Sequence, residues 1–177
     1  MQKIFVDAGS HEGKVSRKFH RKHPNYKLYA FEPNPYINFV KYPEGTIFSA
    51  KALWIEDGYR DFYLYKDIRS EGCSLMYEKQ GKTIDREHPV GVKCIDFSKW
   101  IMDTLNRKDK IVLKMDIEGA EYKVLNKMIK DNSIEYINKL YIEFHIHKLV
   151  IDRNIHDELI DKLKQVKTLK LCGEMKV

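Results

Sequence analysis

The residues best suited to chemistry stand at or just after four short apolar runs. These are Asp7 after Ile4-Phe5-Val6, Glu32 after Tyr29-Ala30-Phe31, Asp116 after Ile111 to Met115, and His145 after Tyr141 to Phe144. The first is the most telling. Asp7-Ala8-Gly9-Ser10-His11-Glu12-Gly13 joins an acid to a turn with two glycines, and a helical pattern follows. A turn of this kind, at the carboxyl end of a first parallel strand, is where a nucleotide-like cofactor is held. The spacing is not G-x-G-x-x-G, and an acid just before the first glycine would repel a pyrophosphate, which argues against an NAD oxidoreductase. An acid suits a cationic cofactor without phosphates. S-adenosylmethionine, with its sulfonium, amino group and ribose, is one.

The other strand ends fit the same ligand. Glu32, 25 residues after Asp7, can accept hydrogen bonds from both hydroxyls of a ribose, with Pro33 beside it. Gly9 and Gly13 let the backbone pass close to the ligand, with Ser10, His11 and Glu12 between them, and the following helix start offers free amides to a carboxylate. Ala52, Leu53 and Trp54 form an apolar and aromatic wall for an adenine, although Trp54 suits a core position almost equally well. Asp116 can hold or deprotonate a substrate hydroxyl, or cap the next helix, where Glu118 would favour the helix dipole. His145 is a candidate general base, and in a continuing strand Tyr141 and Glu143 would point the same way. His145, Asp116 and Glu143 are also metal-ligating types, but their spacing forms no motif and no metal is expected.

These residues need alternating strands and helices to bring them together. Periodicity and turn residues predict strands at 3–7, 26–31, 46–53, 110–116, 140–145 and 168–172, with helices at 13–23, 35–42, 97–106, 118–129 and 152–166. Val15 and Phe19 mark one face of the first helix. Ile155, Leu159, Ile160 and Leu163 mark the last, and Asp96 is placed to cap the helix at 97. After 46–53 the pattern changes. Asp57-Gly58 signals a turn, and 59–65 alternates as a hairpin extending strand three. A long polar loop at 67–88 and a short strand at 90–95 follow. The order implies an α/β fold whose mostly parallel central sheet has helices on both faces, with its ligand beyond the strand ends at the switch point beside strand one.

At 177 residues the chain reads as one domain over 1–177, free-standing or cut from a longer polypeptide. The formal charge of +6 comes from interspersed residues, which allows an anionic partner without demanding one. Three separated cysteines, Cys73, Cys94 and Cys172, give an odd count and no C-x-x-C. That argues for a reducing, cytoplasmic setting and against a disulfide framework or structural zinc. No apolar run approaches the roughly 20 residues that span a bilayer.

With these residues in view, the chain resembles the FkbM family of S-adenosylmethionine-dependent methyltransferases. The resemblance rests on Val6-Asp7-Ala8-Gly9-Ser10-His11-Glu12-Gly13, on Ala30-Phe31-Glu32-Pro33-Asn34-Pro35 and on Val112 to Glu121. Gly72-Cys73-Ser74-Leu75 and Glu143-Phe144-His145 support it. It implies a Rossmann-like class I methyltransferase fold and methyl transfer, usually to a hydroxyl oxygen, on sugars or polyketide-type small molecules. The family's cofactor roles carry over to Asp7, Gly9, Gly13 and Glu32. The catalytic roles of Asp116, His145 and Glu143 come from their own chemistry. Two departures stand out: Ser10-His11 replaces the family's common Ala-Asn, and little chain follows Cys172 for the usual final antiparallel strands.

The leading expectation is therefore an S-adenosylmethionine-dependent O-methyltransferase for a sugar, a glycan or another hydroxylated small molecule. The 67–88 loop, with Tyr65 and Tyr77, would form an acceptor lid. One rival is an RNA ribose 2'-O-methyltransferase. Lys114, Asp116 and Glu143 suggest part of its Lys-Asp-Lys-Glu tetrad, and Lys14, Arg17, Lys18, Arg21 and Lys22 would form a phosphate track. That stripe reads better as a solvated helix face, and no nucleic-acid partner is expected. A second rival is a non-catalytic cofactor-binding module serving neighbouring domains.

Overall fold

The computed structural model describes residues 1–37, 41–149 and 151–175. Six strands form a wholly parallel sheet. In spatial order they are β3 (Ile47–Ser49), β2 (Lys27–Phe31), β1 (Lys3–Ala8), β7 (Lys110–Met115), β8 (Lys139–Ile142) and β9 (Lys170–Cys172). The chain steps one way from β1 to β3 and the other way from β7 to β9, so the switch point lies between β1 and β7. A smaller sheet has the order β4 (Ala52–Trp54), β6 (Val90–Asp96), β5 (Gly58–Phe62).

Parallel strands covered on both faces must be apolar on both. Ile4, Val6, Leu113 and Met115 turn toward one layer. There they pack with α2 (Phe97–Thr104), α3 (Glu121–Lys130) and α4 (Arg153–Lys164) through Ile101, Leu125, Met128, Leu159 and Leu163. Phe5, Leu28 and Val112 turn the other way, toward Phe19 of α1 (Lys14–Lys22). Phe5 and Phe19 stack with ring centroids 3.9 Å apart. The result is the α/β, Rossmann-like arrangement that the sequence implies, with helices on both faces. Asp96 caps α2 as expected, accepting from Lys99 N–H at 3.0 Å. No described helix is long and apolar enough to cross a membrane.

Several local expectations change. The single strand at 46–53 is two, because Ala50 and Lys51 carry the chain out of the large sheet before β4 joins the small one. The antiparallel insertion after it is present, but it is not a hairpin with strand three. β5 pairs with β6, which lies between β5 and β4 and supplies the buried residues Val92 and Cys94. The helix expected at 118 starts only at Glu121, since Glu118 and Gly119 adopt φ of 56° and 110°. In α4, Leu159 and Leu163 are buried but Ile155 is exposed. The short helix expected at 35–42 falls partly on 38–40, outside the described residues, and Pro35–Tyr36 form a turn.

Candidate active site

A cleft of about 400 Å³ opens at the switch point. Its floor begins with the loop after β1. Gly9 has φ of 74°, and a Cβ there would stand 1.8 Å from the carbonyl oxygen of Asp116. Only glycine lets this loop lie directly on the end of β7. The Gly9 and Ser10 amides donate to Phe31 O at 3.1 and 2.9 Å, which ties the same loop to β2.

Parallel register sets Asp7 beside Lys114, and alternation turns both toward α1. Lys114 Nζ donates to Gly9 O at 2.6 Å and lies 3.5 Å from Asp7 Oδ1 and 3.2 Å from Asp116 Oδ2. Asp7 Oδ2 accepts from Ser16 Oγ at 2.7 Å. Burial pushes the Asp7 carboxyl up, while Lys114 and Ser16 pull it back. Burial works against the Lys114 ammonium as well, but Asp7 and Asp116 prevail and raise its pKa. The loop after β1 and the end of β7 are thus clamped by one buried charge.

Glu32 joins the next pair of loops. Its Oε2 accepts from His11 N–H at 2.8 Å and its Oε1 from Asn34 N–H at 2.9 Å. Burial raises its pKa, although these bonds partly offset that. Its neighbours on the cleft wall are Phe31, Pro33, Ala52, Leu53 and Cys73.

At the far end Asp116, Glu118 and Glu143 line the cleft. Burial raises the Glu143 pKa, helped by the nearby Asp116 charge. Behind them His145 is buried. Its Nδ1 lies 3.1 Å from Glu121 Oε1. Its Nε2 lies 3.2 Å from Glu118 Oε1, 3.6 Å from Glu143 Oε1 and 3.7 Å from Asp116 Oδ1. Burial disfavours the imidazolium, but Glu118 and Glu121 prevail and push its pKa up to about 10. Glu118 is held down to about 2: burial acts against its charge, and His145 and Lys79 outweigh it. Lys79, itself fully buried, bonds to Glu118 and to Gly72 O.

The structure brings Gly9, Ser10, His11, Glu12, Glu32, Pro33, Ala52, Leu53, Asp116 and Glu143 to one cleft. Asp7, Gly13, Trp54 and His145 do not line it. Asp7 lies beneath the loop, because its charge is taken up by Lys114 rather than offered to a ligand. Gly13 stands at the N-cap of α1, with φ of 67°. Trp54 is core, with Arg60 and Lys123 stacked over its ring. His145 is not on a continuing strand: β8 stops at Ile142, and Nε2 turns into carboxylates instead of the cleft. The 67–88 loop does border the cleft, through Ser70–Cys73 and Leu75, but Tyr65 and Tyr77 are not among its lining residues. The loop is fastened by Arg69 O to His11 Nε2 at 2.8 Å and by Ile68 O to Asn34 at 2.8 Å.

Reading by strand ends missed Lys114 as the central clamp, together with Lys79, Glu121 and Asn34. Lys114 had a legible signal: a lysine inside an otherwise apolar parallel strand has to find a buried partner. Lys79 carried none, since it lies in a polar loop.

The model of the methyltransferase FkbM domain matches residues 7–168. The chain belongs to the FkbM methyltransferase family. It is also similar to "Methyltransferase 1" of Beauveria bassiana (strain ARSEF 2860), with 28% identity over 161 residues, covering 79% of this chain. The chain spans 64% of the length of that relative. No solved structure matches it significantly. The match starts at Asp7 and so takes in the β1 loop, Glu32, the end of β7 and His145. The cleft described above is therefore built largely from residues within the FkbM domain.

Proposed function

We propose that this FkbM-family protein is an S-adenosylmethionine-dependent O-methyltransferase for a neutral, polyhydroxylated acceptor, a sugar or glycan. The observation that carries this reading is a single cleft with Glu32 at one end and Asp116 with Glu143 at the other. When bound, S-adenosylmethionine supplies an electrophilic methyl group on its sulfonium.

The residues fit that cofactor. Glu32 keeps lone pairs for the ribose hydroxyls beyond its two backbone bonds. Ala52, Leu53 and Phe31 offer an apolar wall for the adenine. α1 has no side-chain cap and no acid in its first turn, so its leading amides are open to the methionine carboxylate. Gly9 lets the loop after β1 lie against the end of β7, which sets this loop beside Asp116 on the cleft floor. At the acceptor end Glu143, partly exposed and with a raised pKa, takes the hydroxyl proton. Asp116 holds the hydroxyl in place, itself steadied by Lys114.

The charge of the cleft favours a neutral acceptor. Glu12, Glu71, Glu143 and Glu174 line it along with Glu32, Asp116 and Glu118, and two of its four lysines, Lys114 and Lys148, are already paired with acids. Such a wall repels phosphates, which weighs against RNA. The test is transfer of labelled methyl from S-adenosylmethionine to a panel of neutral sugars and glycans, with RNA alongside. Label should enter a neutral glycan. Glu143→Gln should lower kcat by about 10²–10⁴-fold with S-adenosylhomocysteine affinity unchanged. Label entering only RNA, or no acceptor at all despite tight S-adenosylhomocysteine binding, would reject this assignment.

A further inference from the structure

Three lysines at the edge of the large sheet opposite the cleft are arranged unlike the others on the surface. β7, β8 and β9 open with Lys110, Lys139 and Lys170. Lys139 is in register with Lys170 on one side and, on the other, with Val112, two residues beyond Lys110. Alternation therefore turns all three lysines to the face that Val112 and Tyr141 share with α1. On that face α1 packs through Phe19 on Phe5, Leu28 and Val112. Beyond β7 the face is more open: Tyr141 and Cys172 are half-buried and Lys170 is exposed.

Strands about 4.8 Å apart set the Lys139 and Lys170 stems side by side, and like charges on neighbouring strands repel. Elsewhere exposed lysines stand beside acids, as Lys99 does beside Asp103 and Lys164 beside Asp161. Here Lys110, Lys139 and Lys170 border one pocket of about 400 Å³, and no acid lines it. Tyr141 raises the Lys139 pKa, with Cys172 and Tyr26 acting in the same direction and no carboxylate among them. The pocket also has Phe19, His23, Tyr26 and Tyr141 on its walls. The His23 and Tyr26 rings pack on Phe19 with centroids 4.7 and 5.1 Å away. His23 is exposed and Tyr26 half-buried, so both present ring surface outward.

A pocket of this size suits a small molecule. Ammonium groups with no acid beside them suit phosphate oxygens, and aromatic walls suit a planar base. The Lys110 stem starts about 8 Å from the Lys139 stem, so the three ammonium groups reach over more than a single phosphate. Lys110 begins β7 and Asp116 follows its end, about 20 Å away along the strand. Tyr141 is the only described residue that lines both this pocket and the cleft.

We propose that this pocket binds a nucleoside diphosphate, its phosphates held by Lys110, Lys139 and Lys170 and its base set against His23, Tyr26 and Tyr141. The site is separate from the cleft and does not rest on the methyl-transfer reading.

The test is calorimetric titration of the full chain with uridine 5'-diphosphate, uridine and pyrophosphate in about 0.15 M salt, which screens loose attraction to surface charge. A pyrimidine keeps the proposed adenine wall of the cleft out of the measurement. One diphosphate should bind per chain, at least about tenfold more tightly than pyrophosphate or uridine. Lys139→Gln together with Lys170→Gln should weaken it by about 10–100-fold, the worth of hydrogen bonds to charged groups. Tyr26→Ala should bring it toward the affinity of pyrophosphate, and saturating S-adenosylhomocysteine should leave the titration unchanged. No binding at millimolar uridine 5'-diphosphate, pyrophosphate binding as tightly, affinity unmoved by the double lysine substitution, or displacement by S-adenosylhomocysteine overturns the site. Preference for a uridine oligonucleotide over the diphosphate would make the surface a nucleic-acid track and overturns it too. Because the readout is this ligand alone, its failure leaves the methyl-transfer reading standing, and failure of methyl transfer leaves the site standing.

Discussion

Replacing Lys114 with methionine isolates the clamp under the loop after β1. Methionine keeps most of the stem volume and removes the ammonium that touches Gly9 O, Asp7 and Asp116. Asp116 is partly exposed and can turn to water, but Asp7 is fully buried and cannot. Breaking one partner from a buried pair costs about 3–5 kcal/mol, because the other charge is left uncompensated. Against a usual total of about 5–15 kcal/mol that is a large share. At about 2–4 °C per kcal/mol for a chain of this size, the melting temperature should fall by roughly 6–20 °C. Urea unfolding at neutral pH, followed by tryptophan fluorescence, measures the loss directly. Asp7→Asn added to Lys114→Met removes the stranded charge while its amide oxygen still accepts from Ser16, so the double variant should regain about 1–3 kcal/mol over the single. A loss below about 1 kcal/mol for Lys114→Met, or a double variant no more stable than the single, would refute the clamp.

Gly9→Ala forces a Cβ against Asp116 O at 1.8 Å and holds a non-glycine residue at φ of 74°. Calorimetry should show S-adenosylhomocysteine binding weakened more than about tenfold. Gly91→Ala, where a Cβ meets nothing within 4 Å, should bind as the unaltered protein does. Glu32→Gln should weaken S-adenosylhomocysteine binding by about 10–100-fold, the worth of hydrogen bonds to a charged carboxylate. Because burial raises the Glu32 pKa above 4.5, its carboxylate is lost earlier than usual as pH falls. Affinity should therefore decline with falling pH already above pH 4.5 and stay flat there in Glu32→Gln, and parallel pH profiles would remove Glu32 from the ribose.

Local pattern was enough to establish the layer order and one half of the cleft. Apolar runs punctuated by turns and helical stripes imply alternating strands and helices, and in a parallel sheet the strand ends must gather on one edge. That is why Gly9, Glu32, Asp116 and Glu143 meet as expected. Near-neighbour chemistry was legible too, as in Asp96 capping α2. Orientation was not. Alternation carried His145 to the cleft only if β8 continued to it, and the strand stops at Ile142. Trp54 is apolar enough for either a wall or a core, and the small sheet takes it into the core. Lys79 reaches Glu118 from 39 residues away, a pairing no local pattern encodes. Strands and helices arise from short-range periodicity, which a chain displays openly. Which buried charge meets which counter-charge depends on register and on the path of long loops. The folded arrangement alone sets Lys114 against Asp7 and surrounds His145 with Asp116, Glu118, Glu121 and Glu143.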